Sequence, residues 1–260
     1  MRHRINRLGS PILFFQTLGS TNDHALALAA RGHHGVVVVA EEQTAGRGRR
    51  GRAWFSPPGS GLYVSTVLAP GGARVDPGRA VALVTLAAGV ALAEAVEAAA
   101  GLRVDIKWPN DLMVSGRKIA GILAEGAAAA TGQSENDARP QTVVLGYGIN
   151  VGPMAYPREL AHRATSLETE LGRRVDRAAL FAESLASLSR RYEDLLDGRF
   201  DVILEAWRAR APGSRGARVT WQVAHGAQTG VTAGVDDRGA LLVRVGDRLE
   251  RVVAGELTWL

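Results

Sequence analysis

VDIKWPNDLMVSGRKIAGILAE, residues Val104 to Glu125, alternates short apolar runs with turn residues. Ser115-Gly116 is a tight-turn signal between Leu112–Val114 and Ile119–Glu125, which makes Asp111 to Glu125 a β-hairpin. Lys118 then lies just past the turn, aimed from a rigid strand. Val104–Trp108 reads as a further strand, which Pro109 ends by holding Trp108 extended. Asn110 and Asp111 are thereby presented at a strand end, where a carboxylate can meet a divalent cation or receive a proton. Gly121 permits close backbone approach inside its strand, and the apolar residues beside it suit a hydrophobic slot.

On either side of this stretch, period-2 patterns and short apolar runs predict strands at Ile12–Leu18, Val36–Glu42, Leu62–Leu68 and Val143–Val151. Helical patterns fall at Asn22–Arg31, Arg79–Ala100, Arg177–Leu196 and Asp201–Arg210, the first introduced by the capping residues Ser20, Thr21 and Asn22. The class is α+β, a mixed or antiparallel sheet with helices. Gly126 to Pro140 is expected to be a long hairpin loop without a function of its own. After Ala211-Pro212-Gly213 come the short β-like runs Arg218–Val223, Gly230–Val235, Leu241–Val245 and Leu249–Val253, the pattern of a small appended β-barrel. Ala80–Ala93 is shorter than the ~20 residues of a membrane span, is broken by Thr85 and Gly89 and runs into Glu94, so it reads as a core helix. Met1–Ser10 is basic, but the apolar stretch after it is only Pro11–Phe15 and no small-residue cleavage site follows, so a cytoplasmic protein is expected.

Composition sharpens the functional question. There are no cysteines, which removes thiol nucleophiles, disulfides and cysteine-ligated metals. The net charge is +5, and residues 1–52 carry all of it: eight arginines against Asp23, Glu41 and Glu42, with 23 basic and 23 acidic side chains thereafter. The excess sits in an N-terminal arm with Arg2, Arg4 and Arg7, expected to be disordered, and in Arg47, Arg49, Arg50 and Arg52. Of 31 basic residues only Lys107 and Lys118 are lysine. An ammonium and a planar guanidinium are not interchangeable at a geometric site, so this pair points to chemistry.

Gly46-Arg-Gly-Arg-Arg-Gly51 fits GxGxxG literally, but Ala53-Trp-Phe-Ser-Pro-Pro-Gly59 follows it rather than a helix, and the first acid downstream is Asp76. A dinucleotide fingerprint needs the helix and an acid about 20 residues on. The alternative is a loop that closes around an anion, its glycines allowing tight approach and its guanidiniums facing a phosphate. Trp54, Phe55 and the Pro-Pro turn imply that the loop folds onto an apolar surface. Gly146-Tyr-Gly-Ile-Asn-Val151 again sets glycines and a polar tip on a buried strand, and a bulged core strand would have the same spacing. No GxxxxGK[ST] and no GxSxG occurs, and His33-His34 lacks zinc-type partners.

Taken together, GSTN (Gly19–Asn22), EQTAGRGRRGRAWFSP (Glu42–Pro57), KWPNDL (Lys107–Leu112), GRKIAGIL (Gly116–Leu123) and GYGINV (Gly146–Val151) resemble biotin–protein ligases. That resemblance implies a class II synthetase-like catalytic domain over residues 12–211 and an SH3-like β domain over 212–260, after the basic arm of residues 1–11. It also implies two steps: the biotin carboxylate attacks the α-phosphate of MgATP to give biotinyl-5′-AMP, and a lysine of a biotin carboxyl carrier domain then takes the biotinyl group. Carried onto this sequence, Ser20, Thr21, Asn22, Gln43, Arg47, Gly48, Arg49, Lys118 and Gly121 would bind biotin, and Arg49, Arg50, Arg52, Lys107, Asn110 and Asn150 would bind ATP. Lys118, Arg49 and Asp111 would carry the chemistry, with Mg²⁺ held through the ATP phosphates and Asp111 as a candidate ligand.

Two departures bear on this. Some family members carry an N-terminal winged helix-turn-helix, which eleven residues before the first strand would not hold, so neither DNA nor a membrane is an expected partner. Some also place a tryptophan over the adenine after the GINV strand, where Tyr156 or Arg163 would have to substitute here. The resemblance leaves room for a homodimer. A lipoate or octanoate ligase or transferase is the related alternative; a basic nucleic-acid-binding module is disfavoured because the chain is neutral after residue 52.

Overall fold

The computed structural model describes residues 8–127, 142–154, 156–223, 226–253, 255 and 257–260. Arg2, Arg4 and Arg7, and the expected Gly126–Pro140 loop beyond Ala127, lie outside the described residues.

Seven strands form the main sheet: β1 (Ile12–Leu18), β2 (Val37–Gln43), β3 (Gly61–Leu68), β4 (Asp105–Lys107), β5 (Asp111–Val114), β6 (Arg117–Ala127) and β7 (Thr142–Asn150), in the order β1-β2-β3-β7-β6-β5-β4. Only β1 and β2 run parallel, joined by α1 (Thr21–Ala30); the other pairs are antiparallel, so the sheet is mixed as expected. The 115–116 turn joins β5 and β6, with Val114 opposite Arg117 and positive φ at both Ser115 (48°) and Gly116 (76°), the backbone of a type I′ hairpin. β4 ends at Lys107, one residue before the expected Trp108: residues 108–110 turn between β4 and β5, and the Trp108–Pro109 peptide is cis.

Strand alternation splits the two faces. Val37, Val39, Leu62, Val64, Leu145 and Ile149 enter the large core with α2 (Pro77–Ala100), α4 (Arg177–Leu196) and α5 (Phe200–Arg208), while Val38, Val67 and Val144 meet Ala25 and Ala29 of α1 on the other face. The helix long and apolar enough to cross a membrane, α2, is built into that core. Asp76 caps it by accepting from the Arg79 N–H, which moves its start two residues before the expected Arg79. A short helix, α3 (Leu167–Leu171), capped by Ser166, was not expected; five residues are too few to show a period.

The C-terminal runs form a second, five-stranded antiparallel sheet, order β11-β10-β9-β8-β12: β8 (Arg215–Val223), β9 (Gly226–Val235), β10 (Leu241–Val245), β11 (Arg248–Val252) and β12 (Leu257–Trp259). The unexpected β12 pairs with β8. The turn at 236–240 docks this sheet on the first unit. Gly239 (φ 81°) lies against Leu83 and Leu86 of α2, its carbonyl accepts from Trp108 Nε1 at 3.0 Å, and Arg79 Nε donates to the Asp237 carbonyl at 2.8 Å.

Asp236 organises that turn, accepting from the Arg238 and Ala240 N–H groups at 2.9 and 2.8 Å and pairing with Arg251. Burial pushes its carboxyl up, but the Arg251, Ala240 and Arg238 hydrogen bonds prevail and hold it below its ordinary value. A folded-state pKa below the unfolded one adds stability above the ordinary carboxylate pKa, and this is lost as pH falls through the folded value. Asp236→Asn is therefore expected to melt about 3 °C lower at pH 7, from a loss of about 1 kcal/mol. The gap to wild type should close below about pH 4, as read by thermal melts across that range.

Candidate functional site

The cleft lies on the α1 face of the main sheet, where β6 and β7 present glycine. Gly121 and Gly148 are register partners and Gly146 is two residues along, whereas Ile122, Leu145, Tyr147 and Ile149 point into the core beneath. The β7 register is continuous, so these glycines clear space rather than mark a bulge. A Cβ on Gly148 would lie 2.2 Å from Trp54 Nε1, one on Gly121 2.9 Å from Trp54 Cζ3 and 3.1 Å from Lys118 Nζ, and one on Gly146 1.8 Å from Asn22 Oδ1. Bare backbone here lets three side chains rest on the sheet. The resulting cavity, about 360 Å³, is of small-molecule size.

At one end, the start of α1 supplies buried polar groups. Ser20 is the N-cap, accepting from the Asp23 N–H. The Thr21 N–H donates to Gln43 Oε1 at 2.8 Å, Gln43 Nε2 donates to Ser56 Oγ at 3.0 Å, and Ser65 Oγ donates to Asn22 Oδ1 at 2.6 Å. Ser20, Thr21, Asn22, Ser56 and Ser65 are all buried. Each amide is thereby fixed in orientation, a preformed donor and acceptor set for a small polar ring.

The basic loop covers the middle. It folds back on itself through the Trp54 N–H to the Gly46 carbonyl (2.8 Å), the Gly48 N–H to the Arg52 carbonyl (2.7 Å) and an antiparallel bridge between Arg47 and Ala53. Arg49–Gly51 makes one 3₁₀ turn with Arg50 at φ 59°, so no helix opens from the glycines. Arg49 Nη1 donates to Asn110 Oδ1 at 3.2 Å, and Asn110 Nδ2 donates to the Ile122 carbonyl at 2.7 Å. Burial lowers the Arg49 pKa, Asp111 opposes this and Arg50 adds to it. The expectation that all four guanidiniums face one anion needs correction: Arg47 turns to Glu125, bidentate at 2.9 and 2.7 Å, and to Asp23 at 2.7 Å. The nearest carboxylates outcompete solvent for that fork.

Lys118 stands where the loop meets the floor. Its Nζ is 2.6 Å from Asp111 Oδ1 and 5.2 Å from the Trp54 ring centre. Its backbone is clamped by the Lys118 N–H to the Arg163 carbonyl (2.8 Å) and the Thr165 N–H to the Lys118 carbonyl (3.0 Å). The buried Asn150 amide and the Tyr156 hydroxyl both donate to the Thr165 carbonyl, at 3.0 and 2.8 Å, and so pin this segment at the cleft edge. Burial pushes the Tyr156 hydroxyl up to about 12, keeping it a neutral donor. Arg50, Arg52 and Arg163 also line the cleft, and Lys107, 5.7 Å from the Trp259 ring centre, lines it next to Gly255 and Leu257 of the C-terminal unit. Among the described lining residues seven side chains are Arg or Lys and Asp111 is the only carboxylate, a field that concentrates anions.

A family model described as biotin/lipoate A/B protein ligase matches residues 15–150. The chain belongs to that family. Curated relatives of this family member include a bifunctional ligase/repressor BirA of Bacillus subtilis, 35% identical over 96% of this chain and 74% of the relative. Another is a biotin–[acetyl-CoA-carboxylase] ligase of Mycobacterium tuberculosis, 36% identical over 93% of this chain and 86% of the relative. Among solved structures, the biotin protein ligase of Aquifex aeolicus in complex with biotin and ATP superposes with a TM-score of 0.78 at 26% identity, covering 96% of this chain and 98% of that one.

Every site residue expected of this ligase-family chain lines one and the same cleft, from Ser20 at one end to Asn150 at the other. Three contributors were missed. Glu125 was read only as a strand residue, Trp54 only as an anchor for the loop, and β12 with Gly255 went unseen. Trp54 had a signal in hindsight, an aromatic flanked by a glycine-rich loop and facing two glycine strands. Its indole N–H is buried with no partner among the described residues, a cost of about 1–3 kcal/mol that a bound acceptor would remove.

Proposed function

We propose that the chain activates biotin with ATP as biotinyl-5′-AMP and transfers the biotinyl group to a lysine of a biotin carboxyl carrier domain in the cytoplasm. The observation that carries this is the position of Lys118, between a glycine-floored slot with a polar end and a loop of guanidiniums. The ureido ring would sit against Ser20, Thr21, Asn22 and Gln43, with its apolar chain along Gly121 toward Lys118. A lipoyl dithiolane has no groups to hydrogen-bond with that end, which favours biotin over the lipoyl branch of the family.

In the first step a biotin carboxylate oxygen forms a bond to the α-phosphorus and the bond to pyrophosphate breaks. Two anions must approach, and Lys118 and Arg49 would offset their charge in the transition state, where fixed cations act most strongly. Arg50, Arg52 and Lys107 would hold the leaving phosphates, Asn110 would orient Arg49, and Asn150 would set the adenine edge with Tyr156 and Arg163. In the second step the acceptor amine attacks the acyl carbon and AMP leaves, with Asp111 as the base that takes the amine proton. No group of three His, Asp or Glu side chains placed to hold a metal ion occurs among the described residues. Asp111 with ATP phosphates and water nonetheless suits Mg²⁺, which commonly uses one or two carboxylates. When bound, the ion would neutralise phosphate charge.

Pyrophosphate release from ATP tests the first step. Release that requires biotin, before any carrier is added, is the expected result; release stimulated by lipoate and not by biotin would overturn it.

A further inference from the structure

Lys118 sits where the hairpin ladder breaks. Leu112 pairs with Ala120 but Met113 with Lys118, so β6 carries one extra residue, Ile119, against β5. A bulge of this kind re-aims the side chain beside it, and the ladder alone does not then fix its direction. On its other side Lys118 forms a parallel bridge with Ala164. Both strands of that bridge converge on one carboxylate: Glu170 Oε1 accepts from Arg117 Nη2 at 2.6 Å and from Thr165 Oγ1 at 2.5 Å. Arg117 directly precedes Lys118, and the buried Thr165 directly follows Ala164. Glu170 itself stands on a fixed base. α3 buries Leu167 in the core, the Glu168 N–H donates to the Val151 carbonyl at 2.9 Å, and Glu168 Oε1 accepts from the Val175 N–H at 2.9 Å. The Glu170 side chain is only 11% exposed, so water competes weakly for its charge-assisted hydrogen bonds.

We propose that Glu170 is a positioning residue for Lys118: by holding Arg117 and Thr165 on one oxygen, it fixes the strand end that presents the Lys118 ammonium to the reacting carboxylate and α-phosphate. This rests on the biotin-ligase reading above. Glu170 is not among the described residues that line the cleft, so it acts through Lys118 rather than on a substrate. The ion pair itself adds little stability, because Arg117 is 42% exposed. Its consequence is geometric: a misplacement of about 1 Å at a reacting group can cost about 10²-fold in rate. The polar end of the slot, built by Ser20, Thr21, Asn22 and Gln43, shares no hydrogen bond with Arg117, Thr165 or Glu170. The effect therefore falls on the maximal rate of adenylate formation and not on biotin binding.

The test uses the full chain with Glu170→Ala and Glu170→Gln, the second keeping a carbonyl acceptor for both donors. First-turnover pyrophosphate release, followed against biotin and against ATP, gives a maximal rate and half-saturating concentrations, and calorimetric titration with biotin counts competent sites. Glu170→Ala should lose about 10- to 30-fold in maximal rate, with half-saturation by biotin within about threefold of wild type and the number of biotin sites unchanged. Glu170→Gln should recover the rate to within about threefold of wild type. A readout independent of activity comes from the lysines themselves. Lysine occurs only at positions 107 and 118, so reductive methylation with a carbon-13 label gives separable lysine resonances, assigned with Lys118→Arg. With biotin and α,β-methylene-ATP present, Glu170→Ala should move the Lys118 resonance, which lies beside the Trp54 ring, and leave that of Lys107 in place. If Glu170→Ala fails to give a cooperative melt, Thr165→Val, which removes one of the two donors, carries both measurements with an expected fall in rate of about 3- to 10-fold. An unchanged maximal rate, a fall matched by lost biotin sites, or an unmoved Lys118 resonance overturns the proposal. A wild-type chain with no biotin-dependent release would instead sink the ligase reading, while the Lys118 resonance still decides whether Glu170 positions it.

Discussion

Lys118→Ala is expected to lose biotin-dependent pyrophosphate release by at least about 10²-fold, the scale of removing one preorganised charge-stabilising group. Two things change at once. The cation between carboxylate and phosphate disappears, and Asp111, 2.6 Å from Nζ, is left as an unbalanced negative charge where two anions must meet. The fold should survive, because the Lys118 side chain is partly exposed and the clamps to Arg163 and Thr165 use its backbone. Lys118→Arg should restore little: a wider planar fork cannot replace a compact ammonium beside the Gly121 backbone. Steady-state rates with a melting curve on each variant read both effects, and release within threefold of wild type for Lys118→Ala would remove Lys118 from the chemistry.

Gly148→Ala carries the second large effect. One methyl group would lie 2.2 Å from Trp54 Nε1, so the indole must leave the floor of the cleft. Trp54 is only half-buried and can swing outward, so the melting temperature should change by no more than a few degrees. Its departure removes the face that packs against Lys118 and displaces the loop strand bonded to Gly46. The expected result is a loss of about 10²-fold in kcat/KM for adenylate formation, equivalent to about 3 kcal/mol. Isothermal titration with biotin and a melting curve separate the two, and wild-type biotin affinity would show that the glycine floor is not part of the ligand site.

The parts of the fold legible from sequence are those whose causes are local. Ser115-Gly116 needs positive φ at two residues and has a glycine to help supply it, so the hairpin carrying Lys118 could be read from the turn alone. The capping start of α1, the mostly apolar run of α2 and the period of α4 are equally local. What escaped depends on contacts distant in sequence. Glu125 meets Asn22 across 103 residues and Arg47 across 78, and neither spacing leaves a trace in composition. The glycines of GYGINV were ambiguous for the same reason: only the pairing of Gly148 with Gly121 shows that they form one bare surface. The segment ending at Thr165 has no period because it is held from outside, by Lys118, Asn150 and Tyr156.

The charge excess of residues 1–52 also changes meaning in three dimensions. Arg47 is matched by Glu125 and Asp23, while Arg49, Arg50 and Arg52 line a cleft in which Asp111 is the only acid among the described residues. Among the described residues the basicity of the loop is thus gathered at the site rather than spread over a face, as a nucleic-acid surface would require.

The most direct measurement incubates the chain with MgATP, a biotin carboxyl carrier domain, and either biotin or lipoate, and reads the mass of the intact carrier. A gain of one biotinyl group, abolished when the acceptor lysine is replaced by arginine, is the predicted result. A lipoyl gain with biotin left unused, or an unmodified carrier under both conditions, would contradict it.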